Sequence, residues 1–109
     1  IGRGAGNSDT NTVVGKDALI TNSSGTKNTA FGIDSLKFNT TGISNTAAGQ
    51  KSLFNNAQGS YNTAFGTEAL LDTTAGYNTG IGYQALKSNT TGTNNTAIGN
   101  AWEETTKAV

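Results

Sequence analysis

The dipeptide Asn-Thr recurs at Asn11, Asn28, Asn45, Asn62, Asn78 and Asn95, in steps of 17, 17, 17, 16 and 17 residues. Four residues after each Asn stands a glycine: Gly15, Gly32, Gly49, Gly66, Gly82 and Gly99. Four further on stands Leu19, Leu36, Leu53, Leu70 or Leu86, and six beyond that a second glycine, Gly25, Gly42, Gly59, Gly76 or Gly92. A period this short leaves no room for a helix pair, and two glycines per unit oppose a long helix. Self-similarity at a fixed period is the signature of stacked repeats, in which each unit buries its apolar side chains against its neighbours.

Aligning the units separates the columns by chemistry. Thr, Val, Ile and Phe around each Asn-Thr favour a short strand, and alternation along it puts Thr with the residue before the first glycine on one face, and Asn with the residue between them on the other. A second extended piece is expected through Ala-Leu. Between the first glycine and the leucine lie variable, often charged pairs such as Lys16-Asp17 and Thr67-Glu68, which suit a solvent-facing bend. Asn22-Ser23-Ser24-Gly25, Asn39-Thr40-Thr41-Gly42 and Asn89-Thr90-Thr91-Gly92 have the chemistry of turns. The residue missing from the fourth unit is placed in this connection, with Tyr77 alone where Ser60-Tyr61 stand one unit earlier.

These columns predict an all-β fold: a parallel β-solenoid, or β-roll, of about six coils of 16–17 residues. Stacked ~4.8 Å apart, the coils would form a rod roughly 29 Å long. Asn11, Asn28, Asn45, Asn62, Asn78 and Asn95 are expected to form a ladder of side-chain amides, each bonding the coil above and below. The expected core is Leu19, Leu36, Leu53, Leu70 and Leu86 together with Val14, Phe31, Phe65, Ile81 and Ile98. Residues 1–10 read as a partial N-terminal coil, since Ile1-Gly2 matches Ile98-Gly99. Residues 11–99 carry the repeats. Residues 100–109 read as a C-terminal cap, with Trp102 as its lid, or as the exit to a neck.

A thin coil leaves faces to bury, and identical chains about an axis parallel to the rod would bury one of them. A homotrimer is therefore the expected state, with self as the first partner.

Seven Lys or Arg balance seven Asp or Glu, so no net charge draws the chain to nucleic acid. No run reaches the ~18 apolar residues of a membrane-spanning helix. With no His and no Cys, triads built on either residue are excluded. Asp17, Asp34 and Glu68 share a column, but they would project from one edge, whereas glycoside hydrolysis needs carboxylates flanking a bond. Gly80-Ile81-Gly82 lacks the long following helix of a phosphate loop. No catalytic, metal or cofactor residue is assigned, and the chain is read as a non-enzyme.

Asn28-Thr29-Ala30-Phe31-Gly32, Asn62-Thr63-Ala64-Phe65-Gly66 and Asn95-Thr96-Ala97-Ile98-Gly99 resemble the Ser-Val-Ala-Ile-Gly head repeats of the YadA-like, trimeric autotransporter adhesins. The longer phrase Gly82-Tyr83-Gln84-Ala85-Leu86-Lys87-Ser88-Asn89-Thr90-Thr91-Gly92 is similar to repeats in phage and viral tail fibres. The resemblance implies a β-roll three chains wide, in an adhesin head or fibre shaft that presents attachment to an unknown receptor. It implies an extracellular, cell-surface or virion location. Two other readings stand beside it: a solenoid that binds an ordered surface such as ice through stacked Thr, and a subunit of a filament polymerised end to end.

Overall fold

The computed structural model describes residues 1–100, the side chain of Asn7 apart. Residues 101–109, and with them the proposed lid Trp102, lie outside the described residues. Six strands of three residues each, β1 (Thr12–Val14), β2 (Thr29–Phe31), β3 (Thr46–Ala48), β4 (Thr63–Phe65), β5 (Thr79–Ile81) and β6 (Thr96–Ile98), form one parallel sheet in chain order. Each strand pairs with the next in register, Thr against Thr at every step. The chain is a parallel β-solenoid of about five turns, with principal extents of 37 × 22 × 16 Å. Coil 1 spans residues 11–27, coil 2 28–44, coil 3 45–61, coil 4 62–77 and coil 5 78–94; coil 6 begins at Asn95.

The leucines form one buried line through the interior. They pack against the middle residue of each strand: Val13, Ala30, Ala47, Ala64 and Ala97, with Gly80 in β5. From β2 onward this residue is Ala or Gly, because the cross-section must also hold the leucine and the buried asparagines. That crowding corrects half of the expected core. Val14, Phe31, Phe65, Ile81 and Ile98 are not buried within the chain; Phe31 and Phe65 are 59% and 60% exposed. Three-residue strands alternate in, out, in once Asn is counted, and the residue before the first glycine falls on the outward side.

No second strand forms through Ala-Leu among the described residues. The chain turns there, and Asp17 and Leu19, with their equivalents in each coil, adopt positive φ of 49–60°. Left-handed backbone costs a non-glycine residue roughly 1–2 kcal/mol. It is how so few residues close a full turn around so narrow a section. The bends still bond coil to coil: Leu36 N–H donates to Ser52 O at 3.0 Å, and Lys51 N–H to Ile33 O at 2.9 Å.

The shortened fourth unit also aligns differently from the sequence expectation. Tyr77 N–H donates to Ser60 O, and the Tyr77 ring stacks on Tyr61, so these two tyrosines share a column. Gly76 lies against Ser60. Ala75 takes the place of the second glycine, accepting the Asn62 amide through its carbonyl just as Gly59 accepts that of Asn45. The missing residue therefore falls between Thr74 and Ala75.

At the N-terminal end the chain closes over coil 1 without repeating it. Gly2 forms an antiparallel bridge with Val13, with both bonds at 2.8 Å. A 3-10 turn over Ala5–Asn7 follows. Ala5 N–H bonds to Leu19 O, and Ala5 O accepts from Asn22 Nδ2 at 3.1 Å. A carbonyl thus stands where the next turns of the stack place an asparagine oxygen.

Candidate functional site

Two polar ladders run inside the solenoid. In the Asn-Thr column Asn11, Asn28, Asn45 and Asn78 donate through Nδ2 to the second glycine's carbonyl in their own coil, as Asn28 to Gly42 O and Asn78 to Gly92 O, both at 2.8 Å, and Asn62 donates to Ala75 O. Each Oδ1 accepts from the backbone N–H of the next Asn: Asn28 on Asn11, Asn45 on Asn28, Asn62 on Asn45 and Asn78 on Asn62, all at 2.9 Å, then Asn95 on Asn78 at 3.0 Å. One side chain closes a turn and seats the following one. The expected amide-to-amide pattern is replaced by amide-to-backbone bonds. Asn11, Asn28, Asn45, Asn62 and Asn78 are buried, so each bond is made where leaving it unmade would cost ~1–3 kcal/mol.

The direct amide ladder lies in a second column, which reading the turn clusters as turns alone missed. Asn39 Nδ2 donates to Asn22 Oδ1, and Asn56 Nδ2 to Asn39 Oδ1, both at 3.1 Å. Each also donates to the glycine three residues on, Asn39 to Gly42 O and Asn56 to Gly59 O. The signal was present in the sequence as Asn-x-x-Gly at the repeat period, with both members on the same interior carbonyl.

The outward face of the sheet is the candidate interaction surface. Thr12, Thr29, Thr46, Thr63, Thr79 and Thr96 form one column along it. Val14, Phe31, Ala48, Phe65, Ile81 and Ile98 form the next, and none of these six is buried. Neither column carries a charge, so the face is a strip of hydroxyls beside a strip of hydrocarbon.

Asp17, Asp34 and Glu68 lie elsewhere, on the corner between the first glycine and the leucine, and are matched by lysines. Lys37 Nζ is 3.1 Å from Asp34 and 3.9 Å from Asp17. It also lies 5.9 Å from the ring centroids of Phe38 and Phe54, which meet edge to face. Lys87 lies 2.8 Å from Glu68. That hydrogen bond holds the Glu68 carboxyl below its ordinary value and lifts Lys87 above its own. The Asp17, Asp34 and Glu68 column is a salt-bridged edge.

No family model, curated protein or solved structure matches the chain. Among the described residues no helix is long and apolar enough to cross a membrane, and no group of acidic side chains is placed to hold a metal ion.

Proposed function

We propose that the chain is a structural segment of a trimeric surface fibre, an adhesin head or the shaft of a phage or viral tail fibre, which carries an attachment site away from the surface that bears it. The observation that supports this most directly is the outward column of half-buried Val14 and exposed Phe31, Phe65, Ile81 and Ile98. Apolar side chains aligned on one face of a stiff rod are the mark of a surface that another molecule covers. Copies of the same chain, set about an axis parallel to the rod, bring identical columns together at every level. The role is mechanical: buried amide ladders and backbone bonds resist bending, and repeated copies multiply weak attachments. The Asn-Thr-Ala-Ile-Gly phrases, similar to adhesin head repeats, agree with this reading.

Light scattering tests it. The expected mass is near three times the 11.1 kDa chain. Replacing Phe31 and Phe65 together by Ser should reduce it to one chain while the circular dichroism spectrum is kept, because both rings lie outside the interior. A single chain for the unaltered protein would overturn the proposal.

The Thr column favours a second reading on the same face. Six threonines aligned on a parallel sheet could match an ordered surface such as ice, and a face left uncovered in solution is what that role requires. Thermal hysteresis by a monomeric chain would support it over the fibre.

A further inference from the structure

The junction of coils 3 and 4 lacks the amide bond that joins coils 1, 2 and 3. Thr73 replaces the asparagine of the second ladder, and Asn56 Oδ1 is left buried without a partner. Across this same junction Tyr61 and Tyr77 lie ring on ring, with centroids 5.1 Å apart and planes 16° from parallel. They share a backbone conformation, with φ of 61° and 63°, which projects both rings the same way. They are 50% and 60% exposed. The third tyrosine, Tyr83, stands in another column, above Thr67, and has no aromatic neighbour among the described residues.

We infer that Tyr61 and Tyr77 form a site of oxidative cross-linking, at which a dityrosine bond joins coils 3 and 4. The co-reactant is hydrogen peroxide, used by a one-electron oxidant of the peroxidase class. Each phenol gives up one electron and one proton and becomes a phenoxyl radical. The two radicals couple through a carbon–carbon bond between ring positions ortho to the oxygens. The hydrogen displaced from each ortho carbon returns to its own oxygen, restoring both aromatic rings. Two hydrogen atoms leave the protein, and the peroxide takes them up to give two waters. Stacking supplies what coupling needs, a second radical held within reach before the first decays. The product staples a junction at which the second ladder's amide bond is missing. The site lies within one chain, so it stands whether or not chains associate.

The test is to treat the folded chain, at low concentration, with peroxidase and hydrogen peroxide. The expected result is a species lighter by two hydrogen atoms, with dityrosine fluorescence and a proteolytic fragment joining Tyr61 to Tyr77. Its yield should not change on dilution. Tyr77→Phe keeps the ring in the stack and should lower the fluorescence by at least about tenfold, the advantage of a pre-positioned partner; Tyr83→Phe should leave it unchanged. Cross-links that form mainly through Tyr83, a yield that falls with dilution, or equal fluorescence from Tyr77→Phe would each overturn the assignment. So would an equal yield from the chain unfolded in urea.

Discussion

Coils 1 to 3 and coil 4 solve the same packing problem in two ways. In the first three, Asn22, Asn39 and Asn56 occupy the second ladder, and Gly25, Gly42 and Gly59 stand three residues later. A Cβ on Gly42 would collide with the Oδ1 of Asn39 and with the Gly59 carbonyl above. In coil 4 the asparagine becomes Thr73, the connection loses a residue, and the glycine becomes Ala75. The shorter threonine withdraws one of the two oxygens that crowd a Cβ there. Asparagine and glycine in this column are thus one device, and they change together. The substitution leaves Asn56 Oδ1 unpaired, and the bond from Asn89 Nδ2 to Thr73 Oγ1 is long, at 3.5 Å.

The largest effect expected from this contrast belongs to the glycine. Gly42→Ala should destabilise the chain by about 3 kcal/mol through forced overlap, whereas Ala75→Gly should cost only ~0.5 kcal/mol of backbone entropy. Thermal unfolding of the pair checks both, and equal losses would break the link between Asn and Gly. Next comes the ladder itself. Asn39→Ala removes two donated bonds and one accepted bond from a buried site, and should cost ~2–3 kcal/mol. Thr73→Ala loses one weak bond and should cost under ~1 kcal/mol. Urea titration would rank them.

A smaller effect should follow from repairing coil 4. Thr73→Asn, with one threonine inserted between Thr74 and Ala75 and Ala75→Gly beside it, restores the phrase of coils 2 and 5. It gives Asn56 Oδ1 a donor and should stabilise the chain by about 1 kcal/mol. No gain would mean that the orphaned oxygen is not what weakens this junction.

The smallest effect concerns the charged edge, where the Glu68 and Lys87 side chains are 25% and 35% exposed and the pair contributes less than ~1 kcal/mol. Glu68 titrates lower when folded, so its contribution is present above the ordinary value of 4.5 and fades as pH falls through the folded value. Lys87 titrates higher when folded, so its share is present below 10.5 and is lost as pH rises through the folded value. Glu68→Gln should flatten both limbs of a plot of unfolding midpoint against pH, and unchanged limbs would place their origin elsewhere.

The strand positions, the register and the leucine line could be read from the sequence because the period fixes what lies above what. Which face of the strand points inward could not be read from hydrophobicity. Phe31, Phe65 and Ile98 are the larger apolar residues of their strands, yet Ala30, Ala64 and Ala97 fill the interior, because width decides there and the buried amides have already taken the space. The bend expected at Lys16-Asp17 is present, but the turn continues through Ala18-Leu19, where a second extended piece was expected, and that escaped for a related reason. Leucine disfavours positive φ in isolation, and only the closure of a narrow coil, held by bonds to the next one, forces it there. The surface strip formed by the outward residues was hidden by the same error of direction.

The central claim is that equivalent residues of successive coils stand in line along one axis. Spin labels attached by Cys at Thr12 and, in separate proteins, at Thr46, Thr63, Thr79 or Thr96, diluted with unlabelled chain, measure this by electron–electron dipolar coupling. The distances should rise in equal steps of ~4.8 Å per coil, reaching about 24 Å from Thr12 to Thr96. Distances that do not increase in order along the chain would contradict it.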